Sequence, residues 1–136
     1  MPKTFNFKST DKLYYQQAIT VLREIPPYSK LRTQEILVLS RLMYFYNELV
    51  AKGVDVKTAN IALFDSTYKN QIIEEMANSD DPEAFKKAFA TFSNILTSLR
   101  KKGFILREDG KNVLNPKRIL NSKEMNPIIF QFKINA

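Results

Sequence analysis

A chain of 136 residues with 44% hydrophobic and 26% charged side chains suits a single domain that buries about two thirds of its unfolded surface, and its composition does not favour disorder. It contains neither cysteine nor histidine, which excludes disulfides, thiolate metal sites and every nucleophile pair or ligand set built on an imidazole. The formal net charge is +7, and it is segregated: residues 86–118 hold nine basic side chains against two acids, while the rest of the chain holds twelve of each. Such segregation is the footprint of a polyanion-binding face, although a solvated basic surface accounts for the charge by itself equally well.

In chain order, Tyr14, Ala18, Val21, Leu22 and Ile25 form one stripe of an amphipathic helix over 11–25, ended by Pro26-Pro27. Thr33 is expected to cap a second helix running to about Lys52 and stopping at Gly53. Its apolar residues, among them Ile36, Leu39, Met43, Phe45, Tyr46 and Val50, cover half the helical circumference, so this helix is expected to be central. The run "NIALF" at 60–64 suggests a short strand. Asp65 or Ser66 then caps a third helix that turns Tyr68, Ile72, Ile73 and Met76 inward.

Asp81 followed by Pro82 is a strong start signal for a fourth helix, to about Lys102. Phe85, Ala88, Phe89, Phe92, Ile95, Leu96 and Leu99 make its apolar stripe. The opposite face carries Lys87, Ala90, Thr91, Asn94, Thr97, Ser98 and Lys101, with no carboxylate. Ordinary solvent faces mix long side chains of both signs. Small polar side chains instead permit close approach, and an asparagine can pair with an adenine edge. After Gly103, "FILR" and "KNVLN" read as two strands joined by Asp109-Gly110, the dipeptide that a type I′ hairpin turn prefers. Alternation in "NPIIFQFKI" (126–134) suggests a half-buried terminal strand.

Little here suggests catalysis. Glu74-Glu75 and Asp80-Asp81 are sequence neighbours, and neighbours on a helix do not face each other. Asp80-Asp81-Pro82-Glu83 lacks the spacing and glycine of a calcium loop, and three glycines, at 53, 103 and 110, cannot form a glycine-rich phosphate loop. Apolar runs such as "IALF", "PIIF" and the five-residue "LMYFY" (42–46) fall far short of the roughly 18–20 residues of a membrane span. "MPKTFNFKSTDK" lacks the apolar core of a secretory signal. A non-enzymatic cytoplasmic protein without metal or cofactor is therefore expected.

The order of helices and hairpin, with the last helix closing as "ILTSLRKKGFI", resembles a winged helix-turn-helix domain. Leu96, Leu99, Lys102, Gly103, Phe104 and Ile105 carry the likeness, which covers about residues 33–118. In winged-helix transcription regulators and replication initiators this pattern ends the recognition helix, and "VLNPKRI" resembles the segment after the wing in plasmid and phage replication proteins. The resemblance implies a mainly α fold with a small β-hairpin, an extra N-terminal helix and linker (1–32), a winged-helix core (33–118) and a C-terminal strand (119–136). It implies double-stranded DNA as partner. Lys87, Thr91, Asn94, Ser98 and Lys101 would contact the major groove, and Arg107 and Lys111 would be wing contacts. Lys86, Lys102, Lys117 and Arg118 complete the expected nucleic-acid-binding set. A phage-type adaptor or virion component is the alternative, with the N-terminal helix or C-terminal strand forming a homodimer or docking a protein.

Overall fold

The computed structural model describes residues 13–26 and 28–118, so the terminal strand expected at 126–134 lies outside the described residues. Among the described residues, α1 (Tyr14–Leu22), α2 (Thr33–Ala51), α3 (Val56–Leu63), α4 (Ser66–Ala77) and α5 (Pro82–Lys101) precede a hairpin of β1 (Ile105–Glu108) and β2 (Lys111–Leu114). A 3-10 turn at Tyr28–Lys30 joins α1 to α2.

α2 is the central element, in contact with all four other helices. Val38, Leu39, Leu42 and Met43 are buried around its circumference, as its nearly continuous apolar sequence requires. α1 rests on it through Tyr15, Ala18, Ile19 and Leu22. The buried stripe of α1 thus includes Tyr15 and Ile19, which the expected pattern had passed over. α4 is fastened to α2 by a bidentate ion pair: Arg41, only 3% exposed, donates from Nε to Glu75 Oε2 at 2.7 Å and from Nη2 to Oε1 at 2.9 Å. The fork geometry of a guanidinium satisfies both carboxylate oxygens, which makes burial of the charge tolerable.

The strand expected at 60–64 is not there; the segment belongs to helix α3. Short apolar runs are ambiguous between strand and helix, and here the N-cap decides, since Asp55 accepts from Thr58 N–H at 3.1 Å. Ala59, Asn60 and Leu63 face inward at helical spacing. Asn60 is 5% exposed, donates to Val56 O at 3.1 Å and accepts from Leu114 N–H at 2.9 Å. Leu114 faces Ile105 across the hairpin, and its N–H points away from β1. One side-chain amide of α3 thus does for the β2 edge what a third strand would.

The starts of α4 and α5 follow their local signals. Asp65 accepts from Ser66 N–H at 2.7 Å, and Asp81 accepts from Glu83 N–H at 3.1 Å with Pro82 in the first turn. Ala88, Phe92, Ile95 and Leu99 of α5 are buried and Phe85 and Leu96 are half-buried, but Phe89 is 41% exposed. Its ring lies beyond the edge of the packed stripe, with Lys69 Nζ of α4 4.5 Å above its centre. α5 ends at Gly103, which has φ +83°; Phe104 N–H donates to Leu99 O and Gly103 N–H to Arg100 O, the paired bonds of a Schellman motif. Both residues of the hairpin turn have positive φ, +52° at Asp109 and +76° at Gly110, as a type I′ turn demands.

Two substitutions test this framework by urea unfolding. Asn60→Leu fills the same space but leaves Leu114 N–H without an acceptor, for an expected loss of about 1–3 kcal/mol. A Cβ on Gly110 would meet no atom, so Gly110→Val should cost only the left-handed backbone strain, about 1–2 kcal/mol. An Asn60→Leu protein as stable as wild type would show that the amide does not hold β2.

Candidate nucleic-acid interface

From Ala84 to Arg107 the chain has no acidic residue, and α5 occupies most of that stretch. Its outward side carries Lys86, Lys87, Ala90, Ser93, Asn94, Thr97 and Lys101, all exposed. Asn94 lies at the middle, and among the described residues its amide makes no hydrogen bond. Thr91 and Ser98 are half-buried, turned toward α2. Together with Asn94 they line one wall of an open cleft of about 420 Å³, whose other wall is Arg32, Thr33 and Gln34 at the start of α2.

Glu35 and Ile95 lie at the floor of this cleft, 4% and 7% exposed. The Glu35 carboxylate collects donors from both walls. Arg32 N–H donates to Oε1 at 2.8 Å, Lys102 Nζ donates to Oε1 at 2.5 Å, and the Ser98 hydroxyl donates to Oε2. Burial pushes the Glu35 carboxyl up, but the hydrogen bonds from Lys102, Ser98 and Arg32, with the Lys102 charge, outweigh it. The net effect is a pKa below the ordinary 4.5. Lys102 Nζ also donates to Lys30 O at 2.8 Å, so the start of α2 and the linker before it are pinned to the end of α5.

The structure divides the eleven expected contact residues. Asn94, Lys87 and Lys101 stand exposed on α5, with Thr91 and Ser98 beside them at the cleft. Lys86 is exposed too, 3.6 Å from Glu83. Arg107 and Lys111 are exposed on opposite faces of the hairpin, because Arg107 pairs with Asn112 and Lys111 with Glu108. Lys117 is exposed beyond β2. Lys102 and Arg118, by contrast, spend their charges inside the fold. Arg118 donates to Lys102 O at the C-terminus of α5 and lies over the Phe104 ring, 5.3 Å from its centre. A cation there satisfies a terminal carbonyl and the helix dipole.

Sequence reasoning missed Arg32 and Glu35, both in the segment with no net charge. A signal was present: with Arg32 as N-cap, "RTQE" puts a glutamate three residues on, where it can reach back to the cap N–H. The opposite end of α5 has the other sign. Glu74, Asp80 and Asp81 line an open depression of about 660 Å³ with Phe85 at the α4–α5 turn. Among the described residues, no helix is long and apolar enough to cross a membrane, and no cluster of metal-ligating side chains occurs. No protein-family model matches the chain, and no curated protein or solved structure matches it either.

Lys102→Ala leaves a buried carboxylate short of its countercharge and should cost about 3 kcal/mol in urea unfolding. Lys101→Ala, one residue away and exposed, should stay within about 0.5 kcal/mol of wild type. Because the Glu35 pKa is lower in the folded state, its stabilising contribution is full above 4.5 and fades as the pH falls from there through the folded pKa. Glu35→Gln should remove that part of the acid dependence. An unchanged acid profile would exclude Glu35 as its source.

Proposed function

We propose that the protein is a non-enzymatic double-stranded DNA-binding protein of winged helix-turn-helix type, a regulator or a replication accessory. In this proposal α5 lies in the major groove and the hairpin is the wing. One observation carries it: a 20-residue helix whose outward face is free of carboxylates beyond its first turn, small and polar at its centre, and flanked by exposed cations. Small polar side chains admit the groove walls, while cations at the margins meet phosphates. The helical order α2 to α5 followed by an antiparallel hairpin supports the winged-helix assignment.

The electrostatics also suggest how α5 would dock. Its N-terminal end carries Asp80, Asp81 and Glu83, which outnumber Lys86 and Lys87, whereas its C-terminal end carries Arg100 and Lys101. Phosphates are repelled from the first end and attracted to the second, so the contact should centre on Asn94 and the C-terminal half. Arg32 would lie across the cleft on the same side.

A second reading rests on a different feature. Val56 and Ile61 of α3 are 55% and 47% exposed, and Val50 of α2 is 39% exposed. An assembly protein or phage-type adaptor would use such residues for protein contacts, and the basic face would then bind polyanions without selecting among them.

Selection from random duplexes at one fixed salt concentration separates the two. A DNA reader should select a motif, and its affinity should fall with salt at a slope of about 0.9 per phosphate neutralised. Asn94→Ala should relax one or two base pairs, worth about 1–3 kcal/mol of discrimination, and leave nonspecific binding nearly unchanged. Lys111→Ala should weaken binding to every sequence and make the salt slope shallower by about one. If wild type selects nothing, the regulator reading falls and the assembly reading replaces it.

A further inference from the structure

A serine hydroxyl has one proton to donate and two lone pairs with which to accept. In Ser98 the proton is already spent, because an ionised carboxylate can only accept and the Ser98 hydroxyl lies against Glu35 Oε2. That carboxylate is buried and is held ionised by Lys102 and by the Arg32 N–H. Turning the Ser98 proton outward would strip a buried charged oxygen of a donor. The other hydroxyls on this side of α5 also donate inward: Thr91 to Lys87 O at 3.0 Å, Ser93 to Phe89 O and Thr97 to Ser93 O, each at 3.2 Å. Their acceptors are helix carbonyls, which the backbone ladder already serves, so these three hydroxyls can rotate outward at small cost. Ser98 cannot.

We propose that Ser98, locked by Glu35, is an acceptor-only reader that selects an amino-bearing base, adenine or cytosine, on the DNA strand it contacts. The proposal rests on α5 being the groove helix. In the major groove adenine and cytosine present exocyclic amino donors, whereas guanine and thymine present only acceptors at the corresponding place. A lone pair of Ser98 meets a proton in the first case and another lone pair in the second. Asn94, one helical turn away, has both a donor and an acceptor and so can demand adenine alone. The expected motif therefore contains an adenine position and, within one or two base pairs, a position that tolerates adenine or cytosine and excludes guanine and thymine. Glu35 touches no base in this scheme; it is a positioning residue that fixes the direction of one proton.

The test uses the full chain, with selections on random duplexes for wild type and Ser98→Ala at the same salt. The base pair at which the two selections differ is then varied through all four bases in competition titrations, adding Glu35→Gln. Wild type should bind the adenine and cytosine duplexes about tenfold tighter than the guanine and thymine duplexes, and Ser98→Ala should level the four to within about twofold. In Glu35→Gln the side-chain amide can donate to Ser98 as well as accept from it, which frees the hydroxyl to donate outward. Guanine and thymine should gain affinity relative to adenine and cytosine, whereas the Lys102 charge released from its ion pair changes binding to all four duplexes alike. A mere loss of structure would weaken all four equally. If Glu35→Gln does not fold, Ser98→Ala decides. The proposal is overturned if the two selections coincide, or if the differing position favours guanine or thymine. A wild-type protein that selects no motif removes the groove reading and this proposal together.

Discussion

One buried carboxylate holds the two halves of the candidate interface in register. Glu35 belongs to the first turn of α2, yet two of its three donors, Ser98 and Lys102, come from the end of α5, 63 and 67 residues away in sequence. The third, Arg32 N–H, is its own helix cap. A lone buried carboxylate is costly, and a lone buried lysine nearly as much so; three donors on one carboxylate make the arrangement favourable and also directional. Apolar packing at Ile95 and Leu99 would keep α2 and α5 together, but it would not set the angle at which Arg32 faces Asn94.

The same network changes what the basic run means. The sequence between 86 and 118 has nine basic residues, and a purely electrostatic view treats them alike. In the fold, Lys102 neutralises Glu35 and Arg118 caps the C-terminus of α5. Lys86, Lys87, Lys101, Arg107, Lys111 and Lys117 stay exposed, and Arg32 joins them from the other wall of the cleft. The resulting field is narrower than the sequence count suggests. It is polarised along α5, with Asp80, Asp81 and Glu83 outnumbering Lys86 and Lys87 at one end and Arg100 and Lys101 at the other.

The hairpin is tied down at its base and exposed at its tip. Phe104, Ile105 and Leu114 are buried, Asn115 N–H donates to Phe104 O, and Asn115 Nδ2 donates to Gly103 O at 2.8 Å. Asn60 of α3 holds the outer edge. From Leu106 to Lys111 the side chains are exposed. Such a hairpin keeps its direction relative to α5 while offering its end to a partner, which is what the proposed wing needs.

Some of this protein follows from neighbours in sequence. Asp81-Pro82 starts α5, Asp65 starts α4, Gly103 stops α5 and Asp109-Gly110 turns the hairpin, each through backbone angles and hydrogen bonds that span a few residues. The centrality of α2 was equally legible, since a helix apolar on so many sides must be covered on them. Other features depend on what lies across the fold. "NIALF" carries an apolar run that suits strand or helix; the Asp55 cap makes it helix, but only contact with α2 and the β2 edge decides that Asn60 is buried and holds Leu114 N–H. Phe89 matches the core stripe of α5 by spacing, yet α4 ends its cover short of that ring and supplies Lys69 instead. Whether Lys102 and Ser98 face solvent or Glu35 is likewise invisible along the chain. Local rules set where each element begins and ends. The partner of a buried proton or charge is chosen only when distant segments meet, because satisfying that charge is a condition on the whole packed structure.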